Sequence, residues 1–218
     1  MRTVGPASSS FGHYDDVTPA GSKALKESAR AALEPLGLSL VGRSGRQWMA
    51  DMGWWLLHLE FQPSSYQRDV AYLNVGEQHL WVELDHHIFE EPDRPLGGST
   101  TLDLTSLAET SRLVQAAAKS ARQRLSDHGE GQSALRRIAR RRHDDLNAGI
   151  ALALLGRDRQ ARSKLTGSIH PSDMATAQAY LEALGDGTAS HVAEATVRAT
   201  RETLRLAPST RTWLAETV

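Results

Sequence analysis

The stretch LLHLEFQPSSYQRDVAYLNVGEQHLWVELDHH, Leu56 to His87, decides how this chain is read. With the two tryptophans before it, its first part alternates. Trp55, Leu57, Leu59 and Phe61 share one face of an extended segment, and Trp54, Leu56, His58, Glu60 and Gln62 share the other. After a polar link the alternation resumes, with Ala71, Leu73 and Val75 on one side and Tyr72 and Asn74 on the other. Two such runs predict paired antiparallel strands with one core face. The opposite face gathers Trp54, His58, Glu60, Gln62, Tyr72 and Asn74, which offer stacking area and directional hydrogen bonds, so it is the first candidate binding surface. The competing reading is an antiparallel sheet that wets one face. Gly76 marks a bend or bulge in the second strand. Gln62, Ser64 and Asn74 flank the link, where they can satisfy strand-end backbone groups.

Working outward, residues 1–18 are rich in Gly, Ser and Pro and are expected to form a disordered leader. From Ser22, the residues Leu25, Ala29, Ala32, Leu33 and Leu36 fall at helical spacing, and Pro35-Leu36-Gly37 stops that helix. LSLVGRSGRQWMADMG reads as a hairpin turning at Ser44-Gly45. Beyond Gly97-Gly98 the pattern is helical. One helix opens with Ser106 and Glu109 in capping-box spacing and closes at Asp127-His128-Gly129. A second is expected from Ser133 to Leu155, a third over RDRQARSKLTGS, and a fourth from Pro171 with Gly185 at its end. A fifth runs from Ser190 to Leu206, and a short one follows Pro208. The fold class is α+β: an N-terminal helix and an antiparallel sheet of four to five strands (residues 19–100), then an α-helical region (residues 101–218) packed on or beside it. A helical bundle is expected there, with tetratricopeptide-like hairpins at LNAGIALALLGRDRQARSKL as the alternative.

The order of Leu36-Gly37, Gly45-Arg46-x-Trp48, Gln62-Pro63-Ser64 and Asn74-Val75-Gly76 resembles the bacterial domain-of-unknown-function family 4304. The likeness covers about residues 20–85 and follows the helical region only in outline. It implies an α+β fold and carries no catalytic motif.

Composition narrows the function classes. The 218 residues hold no cysteine, which excludes disulfides, thiol catalysis and thiolate metal sites. The opening segment has no apolar core of a secretory signal and no run long enough to span a bilayer, so a cytoplasmic protein is expected and no membrane partner. Among the 25 Lys+Arg residues only Lys23, Lys26, Lys119 and Lys164 are lysine, a bias that suggests a GC-rich, actinobacterial genome. Net charge is −1, yet it is unevenly spread. Residues 119–164 carry 12 basic and 5 acidic side chains, against 8 basic and 13 acidic in residues 1–100. RRIARRRHDD is the densest run. On one continuous helix its Arg136, Arg137, Arg140 and Arg141 lie outward, with Arg140–Asp144 and Arg141–Asp145 spaced to pair.

Neither a Gly-rich phosphate loop, a G-x-S-x-G elbow nor an H-E-x-x-H motif is present, and no cofactor is indicated. His86, His87, Glu90 and Glu91 cluster in sequence, but adjacent strand residues point to opposite faces, so no metal site is assigned there. The sequence therefore leans towards a non-enzymatic module, immunity- or adaptor-like, whose partner is another protein. Its contact surface is the polar sheet face or Arg137, Arg140 and Arg141. A nucleic-acid- or phosphate-binding protein using the arginine-rich helix is the second reading. A metal-dependent hydrolase built around His143-Asp144 is the third.

Overall fold

The structure is a computed structural model that describes residues 19–83, 90–97, 100–128, 131–142, 144–167 and 170–207. Helix α1 (Pro19–Leu33) buries Leu25, Ala29 and Leu33, one turn apart on a single stripe. A 3₁₀ turn, Glu34–Leu36, closes on Gly37 at φ +83°, the left-handed cap that the Pro-Leu-Gly signal implies. The chain then forms strands β1 (Ser39–Val41), β2 (Gln47–Asp51), β3 (Trp55–Pro63), β4 (Val70–His79), β5 (Glu90–Asp93) and β6 (Leu102–Asp103). They form one antiparallel sheet in the order β1-β2-β3-β4-β5, with β6 also paired to β4.

Register follows the alternation in the sequence. Leu59 faces Val75, Phe61 faces Leu73 and Glu60 faces Asn74 across β3 and β4. The β4–β5 ladder shifts register, with Val75 and Glu77 of β4 facing Asp93 and Glu90 of β5, so the extra residue lies in β5. Strand β4 itself pairs regularly with β3 through Gly76 and lacks the bulge expected there. On the apolar face of the sheet, α2 (Leu107–His128) lies beside α1 and buries Leu113, Val114, Ala117, Ala118 and Ala121.

The remaining helices are α3 (Gly131–Ile138), α4 (Asp145–Leu154), α5 (Asp158–Leu165), α6 (Met174–Asp186) and α7 (Ala189–Thr203). They gather around α4, which touches α3, α5, α6 and α7 and is buried from Leu146 to Ala153. Gly149 permits the approach of α5, because a Cβ there would stand 2.7 Å from the Leu165 side chain. One buried cluster runs from α1 through the sheet into α7. No helix among the described residues is long and apolar enough to cross a membrane.

The structure corrects several expectations. The helix expected from Ser133 to Leu155 is two helices. After Ile138 the backbone tightens, with Arg140 N–H donating to Arg137 O and Arg141 N–H to Ile138 O. Asp144 then caps α4 by accepting from Asn147 N–H at 3.0 Å. A capping aspartate starts a helix and does not continue one, so the Arg140–Asp144 and Arg141–Asp145 pairs do not form. Helix α6 ends at Gly187, φ +69°, two residues beyond Gly185. Trp54 leaves the alternation altogether: Gly53, at φ +91°, turns the chain just before β3 begins. The leader, His86, His87, His143 and the short helix after Pro208 lie outside the described residues, as do the side chains of Glu90 and Glu91.

Arg201 on α7 ties that helix to the sheet. Its guanidinium donates to Asp51 Oδ1 at 2.8 Å, Asp51 Oδ2 at 2.7 Å and Gly53 O at 2.7 Å. Such a bidentate, mostly buried pair outweighs an exposed one. Arg201→Ala is expected to lower the unfolding free energy by about 2 kcal/mol, since it removes the partner of a carboxylate that keeps some contact with water. Urea midpoints of wild type and variant at one pH measure the loss.

Candidate functional site

Two groups of charged side chains stand out, one buried and one open. The buried group arises because the inward alternation of β4 continues past its apolar residues: Ala71, Leu73 and Val75 are followed on the same face by Glu77 and His79. Both are buried, and so is His128 at the end of α2. Three arginines converge on Glu77. Arg124 of α2 donates to Oε1 at 3.1 Å, Arg141 donates to Oε2, and Arg137 of α3 stands 3.8 Å from Oε1. Aromatic rings close the cluster from the side: Trp55 stacks on His128 at 3.8 Å between centroids, and Trp54 on Trp81 at 4.9 Å. The Trp81 indole N–H donates to Asn147 on α4 at 2.5 Å.

His128 Nδ1 contacts Arg137 Nη2 and stands 3.4 Å from Glu77 Oε1, and Nε2 meets no hydrogen-bond partner among the described residues. Burial pushes the imidazole from its ordinary 6.5 to about 4, although contact with Glu77 opposes that shift. Burial alone would raise the Glu77 carboxyl. Its contact with His128 and the charge of Arg141 outweigh that, and it lies far below the usual carboxylate range.

Glu77, His79 and His128 each offer one ligand atom, all within 4.8 Å of one another, the donor set of a divalent-cation centre. Charge argues against that use. The carboxylate is already shared by three guanidiniums, and a dication beside them would meet their repulsion at short range in a poorly screened interior. The cluster is thus a structural ion network that fastens α2 and α3 to the sheet.

The open group lies between α3 and α5. Arg136, Ala139 and Arg140 form one wall, Arg157, Arg159, Gln160, Ser163 and Lys164 the other, and Leu152 of α4 completes the lining of a groove of about 530 Å³. No acidic residue lines it. Lys164 is shared with Asp145 at 2.5 Å, and Arg136 bonds the neutral Gln132 at 3.0 Å. The guanidiniums of Arg140, Arg157 and Arg159 meet no carboxylate among the described residues.

Against this geometry the residues singled out in the sequence divide. Glu60, Gln62, Tyr72 and Asn74 share one face as expected, but they satisfy one another. Asn74 Nδ2 donates to Gln62 at 2.7 Å and to Glu60 at 3.3 Å, and Gln47 donates to Glu60 at 3.1 Å. Arg94 donates to Asn74 at 3.2 Å and stands over the Tyr72 ring. His58 is buried against Gln78 at 3.1 Å, and Trp54 lies in the aromatic cluster on the core side. Arg137 and Arg141, expected outward, turn inward because the unpaired carboxylate of Glu77 would otherwise be stranded in the core. Only Arg140 of the three lines the groove. Arg157, Arg159 and Lys164 were missed. Their signal was the charge excess of residues 119–164, which gives sign but no face.

Comparison with family models, curated proteins and solved structures yields no match to this chain.

The buried cluster makes stability depend on pH. The unfolded chain protonates His128 near pH 6.5 while the folded one refuses the proton until about pH 4, so stability present at neutral pH is lost as pH falls through that window. Protonation of Glu77 in the unfolded chain adds to the loss below about pH 4.5. Wild type is expected to lose on the order of 2 kcal/mol between pH 7 and pH 5, and His128→Phe distinctly less, by urea unfolding at both pH values. Glu77→Gln, which leaves three arginines without their anion, is expected to cost about 3 kcal/mol at pH 7.

Proposed function

We propose that this chain is a non-enzymatic, cytoplasmic binding module that takes an anionic partner into the groove between α3 and α5. One observation carries the reading: four arginines and a lysine line a single concave surface without an acidic residue among them. Like charges held together raise the local potential, and an ordinary solvated helix face interleaves both signs. Guanidinium forks also match the paired oxygens of phosphate and carboxylate groups. The sheet's polar face supports a partner less well, because its side chains already bond one another across the strands. The resemblance in motif order to family 4304 is consistent with an α+β scaffold and adds nothing about the ligand.

Heparin, a generic polyanion, tests the reading on the full chain. Wild type is expected to bind at 50 mM salt and to weaken roughly fiftyfold by 200 mM, as displacement of counterions at three or four contacts requires. Arg140→Glu/Arg159→Glu, at two exposed positions, is expected to abolish binding and keep the circular dichroism of wild type. No binding by wild type, or equal binding by the double variant, would remove the groove from consideration.

A further inference from the structure

The dimensions of the groove say more than its sign. Arg159 and Ser163 are one helical turn apart on the α5 wall, and Arg136 on α3 and Arg140 in the turn after it stand on the other. At about 1.5 Å rise per residue, Arg159 and Ser163 span only about 6 Å along α5. The walls are correspondingly short, since α3 and α5 have 8 residues each. The charged frame therefore meets a few adjoining anionic groups, and it is not a track along which a polymer backbone could run. Its volume of about 530 Å³ falls in the range of small-molecule sites.

The lining also lacks what a nucleic-acid strand would need. Grooves for single strands combine a basic track with aromatic rings on which successive bases stack. No aromatic residue lines this groove. The large exposed apolar side chains among the described residues, Tyr66, Leu107 and Met174, are not part of its lining. Between the cations stand Ser163 and Gln160, neutral groups able to donate to oxygen. Ala139 and Leu152 provide a small apolar surface beside them.

Resting on the anion-binding reading, we propose that the ligand is a small molecule carrying two or three adjoining phosphate groups, such as a nucleoside di- or triphosphate. The phosphates lie among Arg136, Arg140, Arg157 and Arg159. Each terminal phosphate oxygen accepts from a guanidinium fork, with Ser163 and Gln160 as further donors. The body of the ligand rests on Ala139 and Leu152, where nothing hydrogen-bonds a base edge selectively. Affinity should thus follow the number of phosphates and ignore the identity of the base.

Isothermal titration of the full chain at 50 mM salt with EDTA tests this, using tripolyphosphate, ATP, GTP, AMP, a twenty-residue oligothymidylate and poly-glutamate. Tripolyphosphate, ATP and GTP are expected to bind within threefold of one another and at least tenfold more tightly than AMP. Arg136→Ala and Arg159→Ala are each expected to weaken the first three at least tenfold. Equal affinity for ATP and AMP would overturn the proposal. So would tighter binding of oligothymidylate or poly-glutamate with the same dependence on arginine, although the anion-binding reading would then stand. If none of the six probes binds, or binding ignores both arginines, the proposal and that reading fall together.

Discussion

The carboxylate of Glu77 is the constraint around which the rest is arranged. It lies on the core side of the central strand β4 and is almost fully buried. A lone ionised carboxylate there would be strongly unfavourable, so its position demands cations from whatever packs over the sheet. Arg124 comes from α2, Arg137 from α3, and Arg141 from the link to α4. Three separate segments are thereby fixed to one point on the sheet. The helical region does not merely cover the sheet with apolar surface; it is registered to it by charge.

That registration has a consequence for α3 and the turn that follows it. Arg137 and Arg141 point inward to Glu77, while Arg136 and Arg140 line the groove. Arg136 and Arg137, adjacent on α3, project about 100° from each other, and the turn after Ile138 carries Arg140 and Arg141 to the same two environments. The inner pair sets the azimuth of the helix, and the outer pair inherits its direction. His128 is part of this lock, since its Nδ1 lies against both Arg137 and Glu77.

The same division explains what could be read from the sequence. Strand alternation made the β3–β4 register legible, down to Glu60 opposite Asn74, but the expected bulge at Gly76 is absent and the extra residue lies in β5. It also contained the buried cluster, since Glu77 and His79 continue the inward parity of Leu73 and Val75. An acid and an imidazole interrupt the apolar pattern there, so periodicity alone does not mark them as core. Trp54 was misplaced because Gly53 turns the chain there, and parity holds only within a strand. Arg137 and Arg141 were placed outward because periodicity assigns arginine to water, and nothing local reveals a carboxylate 60 residues away. Asp144 reads both as a mid-helix ion-pair partner and as an N-cap. The demand of the core for Arg141 decides between the two.

Charge on the groove's two walls is handled differently from charge in the core. Lys164 is neutralised by Asp145, a contact that holds α5 against α4, and Gly149 lets the two helices meet closely at the same level. The wall is thus fixed by an ion pair and a close backbone approach, and the arginines facing the groove are not consumed in building it. In the core, every inward arginine has its anion. In the groove, Arg140 in the turn after α3, Arg157 at the start of α5 and Arg159 on α5 are held without one. Keeping like charges together in a preset geometry opposes folding through their mutual repulsion, and an anion that enters relieves it with little further loss of side-chain freedom. A rigid scaffold with cations left over on one concave face is thereby poised for an anionic ligand.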